Sequence, residues 1–308
     1  MYNEDIKKRY IIEKERITST PEGYLKRLFE KTETFEKRLG KDISSFTVYD
    51  IIDVYKTFNL TSINFLTVLH SHLTLYTDWC LKQNIVPDCQ NHFSELNSET
   101  LYKCINIVAF KKTIITKEIL YSWLEKIINP SDAFIMIALF EGIKGKDFCE
   151  IVNLNMSDFS SNQVKLCTGR ELTVSDKLVN IALEASTTKI YYSTNGSGKQ
   201  MPFLDEKDKI VKNYPNCQND ANAFYQGRRI YSKITRAFSF LEVDEWMKPN
   251  AIFDSGQIDY INTRAKELGM SGKDFIYSEY IKEVDYRYGS NLSRTKIPYI
   301  RKFEEYLI

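Results

Sequence analysis

Glycine and proline are scarce, 12 and 7 in 308 residues. That argues against turn-dense sandwiches, propellers and glycine-rich phosphate folds. Histidine is rarer still: only His70, His72 and His92 occur, and none follows. Any chemistry in the later part of the chain must run without its own imidazole. The six cysteines, at 80, 89, 104, 149, 167 and 217, form no C-x-x-C pair and have no histidine at finger spacing. No zinc site is expected, and the thiols read as reduced in a cytosolic protein. Charge of one sign is missing too. The net charge is +1, so attraction to nucleic acid or membrane has to come from local patches. The longest apolar run, Ala133 to Phe140, is too short to span a bilayer, and the charged stretch Met1 to Arg16 is wrong for a secretory signal. The expectation is a cytoplasmic protein with no membrane anchor, no metal and no cofactor.

What is present is helical periodicity. Apolar residues make up 43% and charged residues 27% of the chain, which is ordinary globular composition. Asp5–Arg16 reads as a polar helix, frayed or docked. Thr20-Pro21-Glu22 reads as the start of a helix ending near Gly40. Further helices are expected over Ser45–Phe58, Thr61–Asn84 and Phe93–Val108, so that residues 1–110 form a small helical unit. Phe110–Thr113 is a plausible linker. A second unit, 114–308, opens with a helix at Thr116, followed by an almost wholly apolar helix with Ser131-Asp132 as its cap, central in the core. Asp147–Leu154 reads as a short helix. Gln163–Cys167 with Arg170–Val174, and Lys189–Ser193 with Gln200–Leu204, alternate as two hairpins. Helices return at Asp220–Leu241, Ser255–Leu268, Gly272–Val284 and from Pro298 onward. The fold class expected is mainly α, in two domains, with a small antiparallel sheet in the second.

Asn195-Gly196-Ser197-Gly198-Lys199 invites a phosphate-loop reading, but Ser193 and Gln200 stand where that motif needs Gly and Ser/Thr, so it reads as a hairpin turn. His70 and His72 point about 200° apart on a helix and cannot chelate one metal. The informative element is Asn222–Leu241. Arg229, Lys233 and Arg236 sit at i, i+4 and i+7 beside an apolar stripe of Ile230, Ile234, Ala237, Phe238 and Leu241. Arg228 lies at the border, and no acid occurs before Glu242. Such a helix packs by one side and offers cations to phosphate oxygens by the other, or simply presents a solvated face.

The order of elements resembles the tyrosine recombinase (phage integrase) family from about residue 18 to about 290. Thr61–Cys80 resembles that family's long helix in a core-binding domain. Ala138–Gly142 followed by Glu150–Asp158 resembles a segment of its catalytic domain, and the hairpin, the basic helix and Lys248-Pro249 follow in family order. The resemblance implies a clamp around duplex DNA. The departures are sharper. Family catalysis uses paired arginines, a lysine, histidines and a tyrosine nucleophile, yet no Arg occurs between Arg38 and Arg170. The expected His-x-x-Arg box reads Asn250-Ala-Ile-Phe253, or Ser255-Gly-Gln-Ile258. Tyr280, Tyr286 and Tyr288 stand where a nucleophile could sit, but nothing would neutralise the transition state beside them. The expectation is therefore no enzyme and no catalytic residues. The resemblance extends to the recombinase-derived master repressors of SPβ-like prophages. It implies a sequence-specific DNA-binding repressor that maintains lysogeny in the cytoplasm of a bacterial host. Its partners would be operator duplexes, a regulatory protein or peptide, and further copies of itself on DNA. The DNA-binding set is Arg228, Arg229, Lys233 and Arg236, with Lys144 and Lys146 in place of the first catalytic arginine and Lys165 and Arg170 on the first hairpin. The alternatives are an active divergent recombinase and an interaction module without DNA binding.

Overall fold

The computed structural model describes residues 1–17, 23–86, 90–193, 195, 198–203, 206, 208–213, 223–244 and 246–308, the side chains of 15–17, 223 and 224 excepted. The chain forms two compact units, Met1–Lys111 and Lys112–Ile308.

The first unit is helical throughout: α1 (Glu4–Ile17), α2 (Tyr24–Leu39), α3 (Val48–Thr57), α4 (Ile63–Lys82), α5 (Ser98–Tyr102) and α6 (Ile107–Lys111). The start expected at Thr20-Pro21-Glu22 lies outside the described residues. Helix α2 ends as its sequence directs, on Gly40 in the left-handed region (φ 65°), and α3 begins with a Thr47/Asp50 capping box. Apolar residues spaced three and four apart on α2, α3 and α4 close one core, with Tyr10, Phe29, Tyr76 and Trp79 packed inside it, Tyr10 edge-on to the other three. The charged helix α1 is docked. Lys7 is fully buried, 2.5 Å from both carboxylate oxygens of Glu36, which also accepts from the Ile43 N–H and the Thr32 hydroxyl. Despite these partners, burial holds the Glu36 carboxyl above its ordinary value. The single helix expected over Phe93–Val108 is instead a 3-10 turn at His92–Glu95 followed by α5 and α6, because Asn91 and Asn97 each cap a new start.

The second unit is built around α8 (Pro130–Phe140), in which every side chain from Ala133 to Phe140 is buried. Around it pack α7 (Lys117–Leu124), α10 (Asp176–Thr187), α11 (Ala223–Phe240) and α12 (Pro249–Glu267). The crossing with α12 is close, since a β-carbon at Gly256 would stand 1.9 Å from the Phe140 carbonyl oxygen. Between them lie the short α9 (Cys149–Asn153) and two separate antiparallel sheets. In the first, β1 (Phe159–Ser160), β2 (Gln163–Lys165) and β3 (Glu171–Thr173) pair with Val164 opposite Leu172. In the second, β4 (Ile190–Tyr192) pairs with β5 (Gln200–Pro202). Asn129 ties this hairpin to the start of α8, accepting from the Tyr192 N–H and donating to the Tyr192 carbonyl. The unit ends in α13 (Gly272–Tyr277), α14 (Ile281–Tyr288) and α15 (Lys296–Phe303).

The architecture expected from the sequence, mainly α with small antiparallel pairing in the later unit, is the one found. Five details of the later unit differ, the first being that two separate sheets stand where one is expected. The cap of α8 is Asn129, and Asp132 lies inside the helix, buried. The α10 helix, capped by Ser175, has no counterpart among the expected elements. Helix α12 starts at Pro249 rather than Ser255, and one expected helix is broken between α13 and α14. Among the described residues no helix is long and apolar enough to cross a membrane.

Candidate nucleic-acid interface

The site grows from the turn after α8. Gly142 and Gly145 take positive φ, 95° and 67°, and so do Asp147 and Phe148 at 52° and 62°. Left-handed backbone at two consecutive non-glycine residues costs energy and persists only where the surroundings over-determine it. Those surroundings are close. A β-carbon at Gly142 would lie 2.6 Å from the Arg287 carbonyl oxygen, and one at Gly227 of α11 would lie 2.6 Å from the Asp147 carbonyl oxygen. The Lys144 N–H donates to Glu150 at 2.9 Å. The bare backbone at Gly227 thus lets the basic helix rest directly on the turn that carries Lys144 and Lys146.

Arg170 closes the turn from the other side. Its Nε donates to Glu150 Oε1 at 3.0 Å and its Nη2 to Glu150 Oε2 at 2.5 Å. The remaining donors reach the carbonyls of Gly142 at 3.0 Å, Tyr286 at 2.9 Å and Arg287. A guanidinium has five N–H donors, and here each has an acceptor inside the protein. Glu150 is 1% exposed, so the pair is a buried bidentate lock between hairpin, turn and α14. This corrects the reading of Arg170 as a cation offered at the hairpin tip.

Lys233 is the second correction. It is 2% exposed, with Nζ 3.6 Å from Asp132 and 4.0 Å from the centre of the Tyr191 ring. Tyr191 also donates to Asp132 at 2.9 Å. Burial, with Arg236 and Arg229 adding to it, brings the Lys233 ammonium down to about 8 against the pull of Asp132. Lys233 therefore faces the core, unlike the arginines that share the basic face of its helix. Arg228 and Arg236 are exposed and Arg229 is half-buried.

Lys146 and Lys165 are exposed. Lys144 is half-buried with Nζ 4.5 Å over the Phe253 ring, and desolvation lowers its ammonium below the ordinary lysine value. Lys144, Lys146, Glu150, Arg170, Phe253 and Tyr288 are among the residues lining a cleft of about 560 Å³. Phe253, at the end of the sequence expected to hold a His-x-x-Arg box, fills this wall with carbon and meets Tyr288 edge to face at 5.2 Å.

The three candidate tyrosines are spread apart in role. Tyr288 is buried, donates to the Phe140 carbonyl at 2.9 Å, and its phenol is held far above its ordinary value by desolvation. Tyr286 is exposed and its hydroxyl accepts from the Glu171 N–H at 3.0 Å. Tyr280 is exposed at the start of α14. Sequence reasoning does not identify the two partners that decide the geometry, Asp132 and Glu150. Asp132 carries a signal, an acid at the head of an otherwise apolar helix, whereas Glu150 carries none. In the first unit, His70 hydrogen-bonds the Tyr55 hydroxyl at 2.9 Å and His72 packs on Tyr24. No cluster of metal-binding side chains occurs among the described residues.

Comparison with known proteins bears on both units. The family profile described as the MrpR C-terminal catalytic domain matches residues 114–305, and that described as the MrpR N-terminal core-binding domain matches residues 1–82. The chain is 26% identical over 282 residues to the SPbeta prophage-derived uncharacterized protein YopR of Bacillus subtilis (strain 168), covering 88% of this chain and 84% of that protein. The crystal structure of XerA recombinase aligns over 98% of this chain and 96% of its own, with 11% identity and a TM-score of 0.38.

Proposed function

The chain belongs to the MrpR family, a recombinase-like pairing of a core-binding with a catalytic-type domain, and from that premise we propose that it is a DNA-binding repressor that does not cleave its sites. The observation that carries the reading is the make-up of the interface. Helix α11 runs from Ala223 to Phe240 without an acid and rests on the Lys146 turn through Gly227. The contact set is Arg228, Arg229, Arg236, Lys144, Lys146 and Lys165, which position the protein on phosphates. Lys233 and Arg170 support the scaffold from within.

Strand cleavage would need groups that stabilise a phosphorane-like transition state. The Arg170 guanidinium in the cleft wall spends its donors on Glu150 and three carbonyls. The buried tyrosine donates to the backbone, and the second unit contains no histidine. Removing a single preorganised donor typically costs ~10²–10³ in rate, and here several are absent together. Similarity to a prophage-derived protein supports phage operators as the sites bound, with lysogeny as the state maintained.

The test is duplex binding by the purified chain across a salt series. Log affinity should fall linearly with log salt. The variant R228A/R229A/R236A should bind weakly, with a slope shallower by ~0.9 for each phosphate it no longer neutralises. A nicked suicide substrate should yield no covalent adduct. An adduct would establish an active recombinase instead. Failure to retard any phage fragment at low salt would establish an interaction module.

A further inference from the structure

Two of the six cysteines stand next in sequence to residues of the cleft wall, Cys149 before Glu150 and Cys167 before Thr168. Cys149 begins α9 directly after the strained turn, half-buried, with its Sγ 2.5 Å from where a β-carbon at Gly145 would stand. Cys167 lies exposed in the hairpin loop between β2 and β3. Its Sγ donates to the Cys149 carbonyl oxygen at 3.6 Å. The fold fixes this encounter. Thr168 and Arg170, which flank the hairpin turn, both bond Glu150, the residue after Cys149. A thiol held against the backbone of the other cysteine needs little movement to reach disulfide geometry. In the first unit Cys80 and Cys104 are buried, while Cys89 and Cys217 lie outside the described residues.

We propose that Cys149 and Cys167 form a modification site, a disulfide made by peroxide and broken by dithiols. Hydrogen peroxide oxidises the exposed Cys167 thiol to a sulfenic acid, its O–O bond breaking and one water leaving. The Cys149 sulfur then attacks the Cys167 sulfur, the S–S bond forms, and the hydroxyl leaves with the Cys149 proton as a second water. Two thiols lose two hydrogens and two electrons, and one peroxide becomes two waters. The order follows exposure. Burial and the adjacent Cys167 thiol hold the Cys149 thiol above its ordinary value, which disfavours direct attack on dissolved peroxide and leaves it to the intramolecular step. In a reducing cytosol such a bond is transient, as redox-sensing disulfides are. The site stands independently of DNA binding.

The test treats the reduced full chain with a small excess of hydrogen peroxide, alkylates the remaining thiols and maps the peptides by mass spectrometry. A peptide pair joined through Cys149 and Cys167, lost on dithiothreitol treatment and retained in C89S/C217S, is the expected result. In C149S, Cys167 should instead accumulate as sulfinic acid. The proposal is overturned by a wild-type chain in which Cys167 proceeds to sulfinic acid while Cys149 stays alkylable. Bonding of Cys167 to Cys89, to Cys217 or to a second chain, or no reaction at all, overturns it equally.

Discussion

At the scale of single residues, Lys233 shows how one buried charge reverses a surface reading. Its position three residues after Ile230 and four before Ala237 puts it inside the apolar stripe of its helix. The same spacing from Arg229 and to Arg236 puts it on the basic face, so spacing alone leaves both readings open. What spacing cannot supply is the partner, Asp132 in α8, from a distant part of the chain. Breaking a buried pair from one side leaves an uncompensated charge and costs roughly 3–5 kcal/mol. D132N, which leaves the buried ammonium without its counter-charge, should therefore lower the melting temperature of the chain strongly, and K233M/D132N should regain much of the loss. A D132N chain that melted like wild type would show that the pair carries none of the stability. The pH dependence has a definite sign. The folded-state ammonium titrates at about 8 against 10.5 for an ordinary lysine. Between those values the unfolded chain holds a proton that the folded chain has released, so stability rises with pH across that window. The rise amounts to roughly 3 kcal/mol for this residue. Denaturant midpoints measured at pH 8 and pH 10 should show the rise in wild type and lack it in K233M.

At the scale of elements, the knot of Glu150 and Arg170 joins α9, the hairpin of β2 and β3, and the end of α14. Removing the carboxylate in E150A would leave a largely buried guanidinium without its counter-charge. A loss of about 3 kcal/mol or more is expected, together with faster amide exchange in the turn around Gly142–Phe148. Exchange unchanged there would mean that the close glycine packing alone holds the turn. Long elements with a 3.6-residue apolar period, α2, α4 and α8, are legible in the sequence because burial of one side, or of all sides, imposes the pattern. Helix α10 is not, because Leu178, Ala182 and Ala185 form a thin stripe of mostly small residues between two strand signals. The break between α13 and α14 is equally hidden, since the apolar period runs on through Ser278-Glu279-Tyr280. Of the candidate site, the lack of histidine after His92 and of arginine between Arg38 and Arg170 is fully legible, being a count of residue types. Which of the basic residues point outward is a tertiary fact, decided by Gly227, Glu150 and Asp132 from distant parts of the chain.

At the scale of the whole molecule, the two units each carry their own stabilising core. In the first, the aromatic cluster of Tyr10, Phe29, Tyr76 and Trp79 and the buried Lys7–Glu36 pair are both made within residues 1–111. Trp79 is stacked on Tyr76, and its indole N–H donates to Glu13 at 2.8 Å. It is the sole tryptophan before Trp123, so in a fragment it reports on that unit alone. A helical unit of this length, residues 1–111, is large enough to hold itself without staples, and its many local pairings favour rapid, cooperative folding. The fragment 1–111 should accordingly melt in one cooperative transition, with a near-ultraviolet circular dichroism signal from Trp79 that is lost at the same temperature. The substitution K7M should lower that transition in the fragment and in the full chain by the same free energy, because Lys7 and Glu36 lie in one unit and additivity holds for sites without shared partners. A fragment with helical far-ultraviolet signal but no fixed Trp79 environment would show that the first unit needs the second to order its core.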